Sequence, residues 1–185
     1  MSERLSLATV GIGFVAAFLL YGGGQYLVGE GRSAPGLALI LVNSIVVIAI
    51  GLILRPIIAA KAPGISLIYL GARILEGVLL AAGAIALVSL GDARGADANA
   101  LAYRGGMIVL SLGGAAFCHW MLRRRRVPMI LAAWGILGYL ALGVAMVLDH
   151  FGQPTLSMWF LLPGGVFEFI FGFWLILFGL RTVWE

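Results

Sequence analysis

The feature that most restricts this chain is a series of six continuous apolar stretches, each long enough to cross the hydrocarbon core of a bilayer. They run over about residues 6–28, 36–59, 66–90, 102–122, 127–148 and 156–180. A spanning helix needs about 20 apolar residues. A barrel strand needs about half as many and alternates in polarity. Unbroken runs therefore predict helices, which satisfy every backbone hydrogen bond within one segment. Composition agrees, because 62% hydrophobic and only 11% charged residues leave too little polar surface for a domain in water. The expected fold is all-α: one integral membrane domain over residues 1–185, built as a six-helix transmembrane bundle.

Between the stretches stand turn-rich breaks: Glu30-Gly31-Arg32, Lys61-Ala62-Pro63-Gly64, Gly91 to Asn99, Arg123 to Pro128, and Asp149 to Pro154. The first stretch follows Met1-Ser2-Glu3-Arg4 and is too long for a signal-peptide core, so it reads as an uncleaved span. With the N-terminus inside, Arg4, Arg55, Lys61, Arg123, Arg124, Arg125, Arg126 and Arg181 fall on the cytoplasmic side. Arg32, Arg94 and Arg104 fall outside, a tally of eight against three. Positive charge favours the cytoplasm, so both termini are expected there. Tyr26, Tyr103 and Trp159 are expected at the outer interface, Trp120 and Trp184 at the inner one.

Three charged residues lie where charge is costly. At 1.5 Å per residue, Arg73 sits about 10 Å and Glu76 about 15 Å inside the cytoplasmic boundary of the third span. Glu168 lies about 18 Å from the outer end of the sixth. Each costs about 2.5–3.5 kcal/mol at a helix centre on insertion scales, so all three are expected to face the bundle interior. Arg73 and Glu76, three residues apart, share a helix face. Glu168 reaches Arg73 if the third and sixth spans touch. Gly164 and Gly172, one turn to either side of Glu168, leave room for a neighbouring backbone. One arginine cannot balance two ionised carboxylates, so one of Glu76 and Glu168 is expected to hold a proton at neutral pH. Two uses of the cluster stay open: a proton-relaying, transport or ligand site, or a structural pin that fixes helix register. Arg73 could also snorkel towards the cytoplasm.

Other signals are weaker. Gln25 and Asn43 are polar accessories suited to interhelical hydrogen bonds. His119, next to the single cysteine Cys118, has no second histidine at its depth and reads as a packed or interfacial residue rather than a metal ligand. The run Arg123, Arg124, Arg125 and Arg126 reads as a topology anchor that meets anionic lipid headgroups at the cytoplasmic face. The 27 glycines predict close helix packing, with a hinge conceivable at Pro163-Gly164-Gly165. Gly11-x-Gly13-x-x-Ala16 fits a dinucleotide fingerprint in form but lies in an apolar span with no strand before it. No nucleophile, zinc or phosphate-loop motif is present, so catalytic residues, a cofactor and a metal are not expected, and an enzyme is disfavoured. No basic face interleaved with aromatics suits a nucleic acid. Spans three and six each carry one mid-membrane glutamate and each closes a three-helix half, the arrangement of an inverted repeat.

The segment Gly71-Ala72-Arg73-Ile74-Leu75-Glu76-Gly77-Val78-Leu79-Leu80 and the segment Trp134-Gly135-Ile136-Leu137-Gly138-Tyr139-Leu140 resemble a bacterial group of multi-pass membrane proteins, domain of unknown function 4386. Leu162-Pro163, Glu168, Trp174-Leu175-Ile176 and Gly179 fit the same pattern, over about residues 40 to 180. The resemblance implies a six-helix protein of the bacterial cytoplasmic (inner) membrane and shares Arg73, Glu76 and Glu168, with no agreed activity. Two function classes follow: a binding, transport or proton-coupled protein centred on the cluster, or an accessory subunit of a larger membrane complex. The partners are membrane lipids and, on the second reading, other membrane subunits or further copies of the chain.

Overall fold

The computed structural model describes residues 3–180, and all regular structure among them is helical. Six helices follow in order: α1 (Glu3–Gly29), α2 (Ser33–Ala59), α3 (Pro63–Leu90), α4 (Ala93–Arg123), α5 (Met129–His150) and α6 (Pro154–Leu177). All six are long and apolar enough to cross a membrane. Arg181 and Trp184, used above for orientation, lie outside the described residues.

Local chemistry sets the helix ends. Pro63 and Pro154 open α3 and α6 at first-turn positions, where the missing N–H costs nothing. Gly31, Gly91 and Gly152 close three turns in the left-handed conformation, which only glycine adopts without strain. The largest departure from expectation is α4. The polar stretch from Gly91 to Asn99 is not a loop: Asp92 caps the helix by accepting from the Gly95 N–H at 3.2 Å, and α4 starts at Ala93. The Arg94 side chain and the Gly95 N–H hold the Asp92 carboxyl below its usual range, a charge suited to the positive end of a helix. The resulting helix of 31 residues outruns the bilayer core.

Short connections make successive helices antiparallel. Each helix packs on the next, and α1 closes the series against α6, forming a ring of six in sequence order. α3 and α6 are therefore opposite one another, not neighbours. Gly164 and Gly172 admit close backbones as expected, but those of α5 and α1. A β-carbon on Gly164 would lie 2.9 Å from the Gly138 carbonyl oxygen, and one on Gly172 would lie 3.0 Å from that of Gly11. α6 continues unbroken through Pro163.

The ring is packed unevenly along its axis. The half that holds the start of α1, the end of α6 and the 60–62 and 124–128 connections is filled by aromatics. Tyr69 and Phe117 have ring centroids 4.6 Å apart, Phe117 and Phe171 6.0 Å, and Phe14 and Phe171 5.5 Å. The other half encloses a cavity.

Candidate functional site: a charged floor beneath a central cavity

The guanidinium of Arg73 is 2% exposed and organises the centre of the ring. Its Nη1 lies 2.9 Å from Oε2 of Glu76, one turn on along α3. Its Nη2 lies 3.3 Å from Oε1 of Glu168 on α6. Its Nε donates to the hydroxyl of Tyr69 at 3.0 Å. The remaining face of the guanidinium stands 5.0 Å from the ring centroid of Phe14, a cation–π contact from α1. Tyr139 on α5 donates its hydroxyl to Oε1 of Glu168 at 2.7 Å, which fixes that carboxylate from a second side. Four of the six helices, α1, α3, α5 and α6, thus meet at one charged knot, and the phenol–carboxylate and guanidinium–carboxylate bonds are of the strong, charge-assisted kind.

The knot is the floor of a half-open cavity of about 290 Å³ lined by all six helices. Phe14, Phe18, Tyr21, Tyr103 and Tyr139 supply aromatic wall; Val47, Ile50, Leu80, Leu110 and Leu142 supply aliphatic wall. Tyr21 and Tyr103 stack with centroids 5.5 Å apart. The bonds described above occupy one oxygen of each glutamate. Glu168 is the more open of the two, with 18% of its side chain exposed to the cavity. Asn43 is 2% exposed and lines the same space, and its Oδ1 has no hydrogen-bond partner. Buried polar atoms are satisfied in the great majority of cases, so this amide oxygen, itself shielded from the open space, is an unmet acceptor within the cavity wall.

The chain's match to known proteins is to a family model, Domain of unknown function (DUF4386), over residues 9–179. The chain belongs to this family. The match begins within α1, well before the residue-40 limit of the motif resemblance, so the family's pattern takes in Phe14 and the whole ring. No curated protein and no solved structure matches the chain.

Of the residues singled out in the sequence of this DUF4386 member, Arg73, Glu76 and Glu168 come together, and Asn43 joins them on the cavity wall. Gln25 does not reach the floor; its amide donates to the Tyr21 hydroxyl at 3.0 Å. His119 is exposed on α4, away from the cluster. Arg123, the last residue of α4, and Arg124 and Arg125 just beyond it are exposed, while Arg126 stands over Trp120, 5.7 Å from its ring centroid. Two aromatics depart from the interfacial role expected of them. Trp120 is 4% exposed and belongs to the core, and Tyr103 turns inward to the cavity. Tyr69, Tyr139 and Phe14 were not singled out from the sequence. The two tyrosines carried a signal, because a hydroxyl in the middle of an apolar span needs a partner once buried. Phe14 carried none.

Proposed function

We propose that this protein binds a ligand in the central cavity, at the Arg73–Glu76–Glu168 floor, and that binding is coupled to a proton as part of transport. The observation that carries the reading is the placement of a surplus carboxylate at the bottom of an open cavity lined by every helix. A structural pin needs only a balanced pair, which Arg73 and Glu76 already supply at 2.9 Å. Glu168 adds a second negative charge from the opposite helix and faces the cavity. A charge without a counter-ion at mid-membrane is costly, so the site is neutralised either by a proton or by a cation. The ionisable groups that line the cavity with Glu168 are Tyr21 of α1, Arg73 and Glu76 of α3, Tyr103 of α4 and Tyr139 of α5, with Tyr69 bonded to Arg73.

The orientation follows from the positive-inside rule: the termini and the arginine run Arg123 to Arg126 lie in the cytoplasm of a bacterial inner membrane, against anionic lipid. The cavity then opens outward and the aromatic packing around Phe117 closes the cytoplasmic side. Alternating access would require that packing to part.

Glu168→Gln tests the reading. It leaves a neutral Arg73–Glu76 pair, so the purified variant should melt within about 3 °C of the unchanged protein, equivalent to about 1 kcal/mol for a chain of this size. Its infrared difference spectrum between low and high pH should show a weaker carboxylic-acid carbonyl band than the unchanged protein, because one of the two cavity carboxyls is gone. A loss of stability several times larger, with no change in that band, would make the cluster a pin and end the proposal.

The accessory-subunit reading rests on glycine-rich faces and short loops. Many of those glycines are spent inside the ring, at Gly11, Gly24, Gly36, Gly77, Gly138, Gly164 and Gly172. Native mass spectrometry of gently extracted protein separates the readings, since a stable assembly with other subunits would favour the accessory role.

A further inference from the structure

The ring has a seam between α1 and α6, and its two halves are built differently. At Gly11 and Gly172 the backbones touch: a β-carbon on Gly11 would meet the Gly172 carbonyl oxygen, and one on Gly172 would lie 3.0 Å from that of Gly11. Eleven residues are about three helical turns, so Gly22 presents the same face of α1 as Gly11. A β-carbon on Gly22 would meet nothing within 4 Å. The antiparallel partner position on α6, eleven residues back from Gly172, is Leu161, and both Gly22 and Leu161 line the cavity.

α1 therefore leans. One end is held against α6 by Gly11 and Gly172. The other is held against α2, where a β-carbon on Gly36 would lie 2.7 Å from the Gly24 carbonyl oxygen and one on Gly24 would lie 2.9 Å from that of Gly36. The gap between α1 and α6 widens towards the cavity side. Phe18 stands across it, 40% exposed and lining the cavity. Gly165 faces this ring, its β-carbon position 3.7 Å from the Phe18 Cε1. The Phe18 ring also meets Phe169 of α6 edge-on, with centroids 6.5 Å apart, so this aromatic pair bridges the seam.

The floor of the cavity presents acceptors. Each glutamate has an oxygen outside the internal bonds, the unpartnered Asn43 Oδ1 lies shielded in the wall of the same cavity, and the formal charge of Arg73, Glu76 and Glu168 is −1 with both carboxylates ionised. Aromatic faces surround this point. A group with several N–H donors and a positive charge matches such a surface, and a primary ammonium offers three donors. We infer that the cavity takes a primary ammonium carried on an apolar chain, which arrives sideways from the bilayer through the Phe18 seam. This rests on the reading of the cavity as a ligand site and names the ligand class and its route. Charge balance requires that the incoming ammonium displace one proton from the glutamates into water.

The experiment uses Phe18→Trp protein in phosphatidylcholine nanodiscs, titrated with ω-bromoundecylammonium, the bromine quenching the introduced indole. Fluorescence of the unsubstituted protein, treated identically, supplies the background. Quenching should saturate, and Glu168→Gln should weaken the apparent affinity at least tenfold. ω-Bromoundecanol should give only unsaturable quenching, and butylammonium should fail to displace the bromoamine. Saturation by the alcohol at equal concentration, or none by the amine, overturns the ammonium site. Displacement by butylammonium at equal concentration overturns the bilayer route and makes water the source. Melting temperatures of the unsubstituted protein with the same compounds must give the same rank order, which covers a Phe18→Trp protein that fails to fold. The Glu168→Gln stability and infrared tests use no amine, so the broader reading stands or falls separately.

Discussion

Arg73 and Glu168 stand on helices that face each other across the ring, 95 residues apart in sequence, and their side chains close the gap at 3.3 Å. The contact is made by long side chains reaching through the lumen, with α1, α2, α4 and α5 completing the walls on either side. It divides the interior into an aromatic half and an open half.

Removing the cation should be far worse than removing either anion. Arg73→Leu leaves two carboxylates facing each other in a buried space. Breaking a buried pair from one side costs about 3–5 kcal/mol. The variant should be recovered poorly and melt well below the unchanged protein in detergent. The triple change Arg73→Leu, Glu76→Gln, Glu168→Gln should regain most of that loss.

Tyr139→Phe deletes the hydroxyl that donates to Glu168 at 2.7 Å and keeps the ring that packs on Phe167. Hydrogen bonds to charged groups contribute about 1.5–3 kcal/mol. The expected result is a destabilisation of that order by thermal melting, and one much smaller in a Glu168→Gln background, where the bond is to a neutral amide.

Cation binding should weaken as pH falls. Protons and the ligand compete for the same carboxylates, so the charged form that receives a cation becomes scarcer on acidification. Where the site is mostly protonated, the apparent affinity for undecylammonium should fall about tenfold per pH unit. Glu168→Gln should flatten that dependence. A pH-independent affinity in the unchanged protein would remove the proton from the scheme.

The α1–α6 seam makes a paired prediction. Gly172→Leu forces a side chain into the backbone of α1 at Gly11 and should destabilise the ring by several kcal/mol, in the range of severe overpacking. Gly22→Ala meets open space and relieves the flexibility of glycine in a helix, so it should be neutral or stabilising by up to about 1 kcal/mol. Urea or thermal unfolding in matched detergent checks both.

Orientation is open to direct chemistry. Cys118 is buried, so the native thiol gives a low background. In intact cells a membrane-impermeant maleimide should label Arg32→Cys and leave Arg125→Cys unlabelled until the membrane is opened. The reverse pattern would invert the topology and turn the cavity to the cytoplasm.

The sequence by itself determined the six spans, because hydropathy over about 20 residues is a local property of the chain. It also marked Arg73, Glu76 and Glu168 as interior residues, since lipid exposure of charge is too costly at that depth. It misjudged the start of α4, where a single capping bond at Asp92 let a polar stretch continue as helix. Only the tertiary structure decided that α3 and α6 are opposite rather than adjacent, that Tyr139 and Asn43 line the same cavity, and that α1 parts from α6 above Gly11. Spans that are apolar on every side carry no stripe to show which face turns inward. That rotation is set by close glycine contacts between helices far apart in the chain, and those exist only once the ring has closed.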